Sequence, residues 1–190
     1  MEKYLRKALG EERGGRLYAR SEERLARLRC EAEPQSMARN MILKGMLLPY
    51  VALFQILEEE GMEREEILSL LDGMMVETAG LPLKKKYDRM DSLPWAYALF
   101  RLGFTKVVSH FDLWSAELDT SDKDRFRVGI HQCFWYDTFC RYGCPEVCSF
   151  ACKCDELTFG NMKHIDFRRT QTLGTGGCCC DFEFTKKRPG

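Results

Sequence analysis

The hydrophobic pattern of this chain changes its period near Phe104, and this change limits the possible folds more than any other feature. Before Phe104 the apolar residues recur at helical spacing, with breaks at Pro34, Gly61 and Gly80. After it, apolar and polar residues alternate in "HFDLWSAEL" and "RFRVGIHQC", which is typical of paired strands. We therefore expect an α+β fold, with a helical N-terminal half packed on an antiparallel sheet of at least four strands.

The second half predicts the order strand, strand, helix, strand, strand. The helix is "CFWYDTFCRYG", which begins at Cys133 and ends at Gly143. The last two strands are "HIDFRRTQTL" and "CCCDFEFTK", joined around the turn "GTGG". These boundaries predict a helical N-terminal extension over residues 1–35, a single α+β domain over 36–184 and a frayed tail over 185–190.

Composition and charge narrow the classes of partner. Lys plus Arg and Asp plus Glu both number 29, and this balance predicts neither a nucleic-acid partner nor binding to an anionic membrane. The most apolar run, Met41–Leu57, is interrupted by Lys44 and Pro49, so we expect a buried helix. The expected partner is a small-molecule substrate, and a homo-oligomer is compatible with the sequence.

Cysteine content indicates the compartment. The N-terminus is charged from its second residue, which predicts no export signal. Ten cysteines without such a signal predict a cytoplasmic protein with free thiols.

Nine of the ten cysteines lie between Cys133 and Cys180. Four of them are spaced by four and would form a ladder on one helix, but Pro145 predicts a break in that helix; they are Cys140, Cys144, Cys148 and Cys152. The spacings match no standard zinc or iron–sulfur motif. We therefore assign no metal ligands and no cofactor, and a structural zinc stays open as an alternative.

Three cysteines stand at the ends of predicted elements and are expected to converge on one pocket: Cys133, Cys152 and Cys180. A nearby histidine would lower the pKa of a thiol and produce a nucleophilic thiolate. On a regular strand His131 and Cys133 share a face, which makes His131 a candidate for that role.

The three adjacent cysteines near the C-terminus pose a separate question of orientation. If the last strand is regular, Cys178 and Cys180 share one face and Cys179 lies on the other. Cys178 would then border the pocket and Cys179 would pack elsewhere.

Two segments, "CFWYDTFCRYGCPEVCSFACKCDE" and "FRRTQTLGTGGCCCDFEF", resemble the L-2-amino-thiazoline-4-carboxylic acid hydrolase family. The resemblance covers about a third of the chain. Its motif positions are Cys133, Gly143, Pro145, Glu146, Cys152, Asp155, Arg169, Thr170, Thr172, Leu173, Gly176, Cys180, Asp181, Phe182 and Phe184.

The resemblance implies hydrolysis of a cyclic isothiourea, in which ring opening gives a carbamoyl-cysteine. Such a reaction needs a nucleophile or activated water, a proton donor and a cation for the substrate carboxylate. The catalytic candidates are Cys180, Cys133, Cys152, Asp155 and His131, and the substrate-binding candidates are Arg169, Thr170, Thr172 and Gly176. Of the three adjacent thiols, Cys180 is the functional candidate, because it occupies the cysteine of the family's Cys-Asp-Phe-x-Phe motif. Arg168, next to Arg169, is expected to be an ordinary solvated charge. The alternative is a non-catalytic, thiol-rich module that binds a metal or senses redox state or a small ligand.

Overall fold

The helical half of the protein occupies the first 110 residues of the computed structural model, which describes residues 1–188. The end of the predicted tail, Pro189 and Gly190, lies outside the described residues. In chain order the helices are α1 (Glu2–Leu9), α2 (Glu11–Glu31), α3 (Met37–Ile42), α4 (Leu48–Glu59), α5 (Arg64–Met75), α6 (Leu81–Asp91) and α7 (Ala96–His110).

A four-stranded antiparallel sheet in the order β1-β2-β4-β3 forms the second half. Its elements are β1 (Trp114–Asp119), β2 (Arg125–Cys133), α8 (Phe134–Arg141), α9 (Val147–Phe159), β3 (Ile165–Arg168) and β4 (Cys180–Lys186), with a 3-10 turn at Leu173–Thr175. The predicted α+β class is confirmed. The break expected at Pro145 is also confirmed, since it falls between α8 and α9.

Two π turns interrupt the helical half, and one of them corrects the helix end expected at Gly80. Residues Val76–Gly80 form a π turn that leads directly into α6, and Leu43–Leu47 joins α3 to α4 in the same way. Each π turn is followed by a proline in the first turn of the next helix, Pro49 or Pro82. The wider turn accommodates a ring that would clash in a regular helix. Gly80 is required for packing, because a β-carbon there would lie 2.8 Å from the Cys154 sulfur on α9.

The sheet half is organised around Phe184 at the centre of β4, which is fully buried. Its ring contacts Phe100 and Phe104 from α7, each at a centroid distance of 4.9 Å, and stacks on Phe126 of β2. The alternating burial of β4 places Phe184 on the face of the sheet that α7 covers. Burial of this many aromatic rings fixes the register of the sheet beneath the helices.

The helical half has its own core around α4, most of whose residues are buried. The continuous helix Met37–Glu59 is long and apolar enough to span a membrane by length and composition, and its most apolar 18-residue window has a mean hydropathy of 1.5. Here 56% of its most apolar window is buried within the protein, as the sequence predicts for a core helix. Helix α9 contacts both halves and so lies where a shared site can form.

Candidate active site

A single cavity of about 320 Å³ lies between α9, the start of β4, the end of β2 and the helices of the N-terminal half. Cys133, Cys152 and Cys180 all line it, so their predicted convergence is confirmed. Asp155, another candidate from the sequence, lines it as well. The cavity is therefore the place where most of the predicted catalytic groups meet.

A β-bulge in β2 brings Cys133 into the cavity. Ala116 pairs with Ile130 while Ser115 pairs with Gln132, so His131 is an extra residue on β2. The bulge shifts the alternation by one, which places Cys133 on the same side as Ile130. The expectation that His131 and Cys133 share a face is therefore wrong.

His131 is exposed, and its Nε2 atom lies 3.7 Å from a carboxylate oxygen of Glu117 on the neighbouring strand. The structure does not bring it to the cavity.

The start of β4 corrects a second expectation. The strand begins at Cys180, so Cys178 precedes it in an irregular segment and is exposed. The Cys178 thiol donates a hydrogen bond to Gln171 Oε1 at 3.4 Å and does not line the cavity. Cys178 therefore does not border the pocket, and of the three adjacent thiols only Cys180 points into it.

Cys152 has the surroundings most favourable to a thiolate. It lies on α9, one turn after Cys148, and the nearby Cys148 thiol is the largest of the influences that lower its pKa. Thr172 and the backbone at Gly174 act on this pKa in the same direction, and Arg169 adds a positive charge. Although burial opposes ionisation, together these groups lower the pKa of Cys152 to about 6.

Gly174 is needed for this arrangement. A β-carbon at Gly174 would lie 3.0 Å from the Cys152 sulfur and 3.2 Å from the Ser149 nitrogen. The absence of a side chain lets the 3-10 turn lie directly against α9, next to the Cys152 sulfur.

Asp155 stands three residues after Cys152, on the same face of α9. Burial among apolar walls, and then the charge of Cys152, raise the pKa of Asp155 to about 8, while Arg169 partly opposes the shift. The side chain is 32% exposed, and it lines the cavity. At neutral pH the favoured state is a thiolate at Cys152 beside a protonated carboxyl at Asp155.

The other two predicted thiols differ from Cys152 in their electrostatics. Burial raises the pKa of Cys180 to about 12, although the Leu173 N–H donates to its sulfur at 3.4 Å. The pKa of Cys133 is lowered, mainly by a hydrogen bond from Cys148 and also by backbone N–H groups at the start of α8. Cys148, the neighbour of both sulfurs, has a raised pKa and keeps its proton, and this single proton can be donated to only one of the two sulfurs at a time.

Arg169 is largely buried, with a side chain 13% exposed. It donates a hydrogen bond to the Cys152 carbonyl at 2.9 Å and lies 3.8 Å from an Asp155 carboxylate oxygen. The guanidinium also lies over the rings of Phe167 and Phe182. It does not line the cavity, and its role in binding a substrate carboxylate stays a prediction.

The remaining substrate-binding candidates surround the site without entering the cavity. Thr170 is exposed and bonds Asp181, whereas Thr172 is buried, bonds Thr175 and helps to lower the pKa of Cys152. Gly176 is exposed and has a φ of 86°, a conformation that glycine adopts without strain. These residues shape the 3-10 turn that supports Cys152.

Sequence reasoning missed two contributions to the site. The sequence pattern includes Cys148 only in the series of cysteines spaced by four. The spacing of four from Cys152 could have indicated that the two thiols share one face of a helix. The walls from the N-terminal half include both π turns, through Met46, Leu47 and Ala79. Nothing in their sequence marks these residues as cavity-lining.

Metal ligation has no support in residues 1–188, where no group of three or more His, Cys, Asp or Glu side chains is arranged to hold an ion. All ten cysteines, which fall within this range, are free.

A thiol that lines a cavity and has a lowered pKa is a common feature of sites where a cysteine acts as the nucleophile. The model of the L-2-amino-thiazoline-4-carboxylic acid hydrolase family matches residues 39–184, which include the whole cavity, and the chain belongs to this family. No curated protein and no solved structure matches the chain significantly.

Proposed function

We propose that the protein is a thiol-dependent hydrolase that opens a cyclic amidine or isothiourea ring, of the 2-amino-thiazoline type, by breaking a C–N bond. The observation that carries the proposal is the pairing of Cys152 and Asp155 on one face of α9 inside the cavity. Membership of a family described as a hydrolase supports it. A metal-binding or sensor module has no comparable arrangement in its favour.

In the first step the Cys152 thiolate attacks the ring carbon that is bonded to two nitrogens and one sulfur. An S–C bond forms, and the protonated Asp155 gives its proton to the ring nitrogen as the ring C–N bond breaks. The products of this step are a free amine and an enzyme-bound dithioimidate. Asp155 is left as a carboxylate.

In the second step water attacks the same carbon, and the Asp155 carboxylate takes a proton from it. The bond to Cys152 breaks and returns the thiolate. The released group tautomerises to an S-carbamoyl product, and the sum is the addition of one water to the ring. Arg169 acts as a positioning residue in both steps, because it holds the Cys152 carbonyl and lies beside Asp155.

The direct test is incubation of the purified protein with 2-amino-thiazoline-4-carboxylate in ¹⁸O-labelled water, followed by mass spectrometry. We expect a ring-opened carbamoyl product that carries a single ¹⁸O atom. An intact ring after prolonged incubation with this compound and with carboxylate-free analogues would contradict the proposal.

The pH dependence of kcat/KM should be bell-shaped. Activity should rise as Cys152 ionises near pH 6 and fall as Asp155 loses its proton near pH 8. Initial rates measured across this range check the prediction. A single rise with a midpoint near the ordinary cysteine pKa, and no fall near pH 8, would contradict the assigned protonation states.

Arg169→Lys should raise the pKa of Cys152 and lower activity, because lysine keeps the charge but cannot reproduce the planar fork. We expect a loss of stability of about 1.5 kcal/mol from the buried hydrogen bond to the Cys152 carbonyl. Arg168→Lys is the matched control, since Arg168 is 75% exposed, as the sequence predicts, and pairs with Asp166 on the surface. Equal thiol titration curves and melting temperatures for the two variants would remove Arg169 from this role.

A further inference from the structure

We propose that the ring opened by this protein carries a sizeable apolar group in place of a carboxylate. This inference rests on the proposed function and specifies its substrate class. Its basis is the chemistry of the cavity wall, which is apolar except at the end formed by the thiols and Asp155.

The charge of the cavity wall argues against a substrate carboxylate. Among the described residues that line the cavity, none is Lys, Arg or His. A substrate carboxylate would enter an apolar space that already holds the Cys152 thiolate, without a cation on the cavity wall to pair with it. Burying an unpaired charge next to a like charge is strongly unfavourable.

The size and shape of the cavity favour a larger, apolar ligand. A volume of about 320 Å³ falls within the range of pockets for drug-sized ligands, roughly 300–1,000 Å³. The small carboxylated ring of the family description would leave much of this space unfilled. Trp114 and Trp135, which both line the cavity, stack with ring centroids 5.4 Å apart and planes 6° apart. Flat aromatic walls of this kind favour an aromatic or aliphatic group.

The entrance of the cavity is also apolar. Met46 on the first π turn and Val107 on α7 line the cavity, and they are 45% and 42% exposed. They mark an apolar mouth between these two segments. Gly103, one turn before Val107 on α7, also lines the cavity, and a β-carbon there would have no atom within 4 Å. A side chain at this position would therefore narrow the mouth without a clash at its β-carbon.

The test compares 4-benzyl-2-amino-2-thiazoline with 2-amino-thiazoline-4-carboxylate, by kcat/KM in the parent protein and by calorimetric binding to Cys152→Ser. We expect kcat/KM for the benzyl compound to exceed that for the carboxylate about tenfold or more. Binding should show the same order. A preference for the carboxylate in turnover would overturn the inference and leave the proposed function standing.

The binding arm separates the two proposals. Preferential binding of the benzyl compound without turnover of either ring would support the apolar specificity and overturn the proposed hydrolysis. Binding of neither compound, with no turnover, would overturn both.

Gly103→Leu tests the location of the specificity. We expect kcat/KM for the benzyl compound to fall about tenfold as the mouth narrows, with a smaller effect on the carboxylate. Gly45→Leu is the control: Gly45 is exposed on the first π turn, has equally open space at its β-carbon and does not line the cavity. An equal effect of the two variants on the benzyl compound would overturn the assignment of the apolar group to this cavity.

Discussion

Replacing Cys152 by serine should lower kcat by roughly 10³-fold or more, because the nucleophile itself is removed. Serine is nearly the same size, so the fold should be retained. Its hydroxyl is a far weaker acid than a thiol, and the groups that lower the pKa of Cys152 to about 6 cannot ionise it at neutral pH. The measurement is the rate of ring opening at pH 7, with a melting curve for each protein.

Two further cysteine variants make this result specific. Cys140→Ser is the matched control, since Cys140 is exposed on α8 and outside the cavity lining, and its activity should equal that of the parent. Cys180→Ser tests the competing thiol that the sequence favours. With the pKa of Cys180 raised to about 12, we expect this variant to keep most of its activity. Loss of activity in Cys180→Ser with retention in Cys152→Ser would reverse the assignment.

Asp155→Asn should lower kcat by about 10²–10⁴-fold, the usual contribution of a general acid or base. The amide has a similar shape but cannot release or take up a proton at this position. Rate measurements across the pH range should also show that the fall near pH 8 is absent from the residual activity. A residual fall with the same midpoint would assign that ionisation to another group.

Asp155→Asn should not destabilise the protein at high pH. The folded-state pKa of Asp155 is about 8 and its ordinary value is 3.8, so between these values the folded state retains a proton that the unfolded state has lost. Stability contributed by Asp155 therefore falls as pH rises from about 4 to about 8. We expect the melting temperature of Asp155→Asn, relative to the parent, to be higher at pH 8 than at pH 5. A relative melting temperature that falls with pH would contradict a raised pKa.

The fold class and the meeting of three thiols could be predicted because both depend on local pattern. The change of period near Phe104 reflects the different side-chain geometry of helices and strands. Cys133 and Cys180 stand at strand ends on neighbouring strands, and such positions come together at one end of a sheet. The positions at strand ends therefore predict that these two residues lie near each other, but not the side of the sheet to which the Cys133 side chain points.

Other features of the site depend on packing that the sequence pattern does not encode. The extra residue in β2 reverses the side on which Cys133 lies, and nothing in "RFRVGIHQC" marks the bulge. The environment of Cys152 comes from Thr172, Gly174 and Arg169, which lie about twenty residues further along the chain. The sequence favours Cys180 because its motif position is visible there, whereas its burial is not.

The most direct test of Cys152 as the nucleophile is the pH dependence of alkylation at each cysteine, measured by iodoacetamide labelling and peptide mass spectrometry. It needs no knowledge of the substrate. We expect Cys152 to react with a midpoint near pH 6 and Cys180 to stay almost unlabelled up to about pH 9. A Cys152 midpoint near the ordinary thiol pKa of about 8.5, or faster labelling of Cys180 than of Cys152, would contradict the claim that Cys152 is the nucleophile.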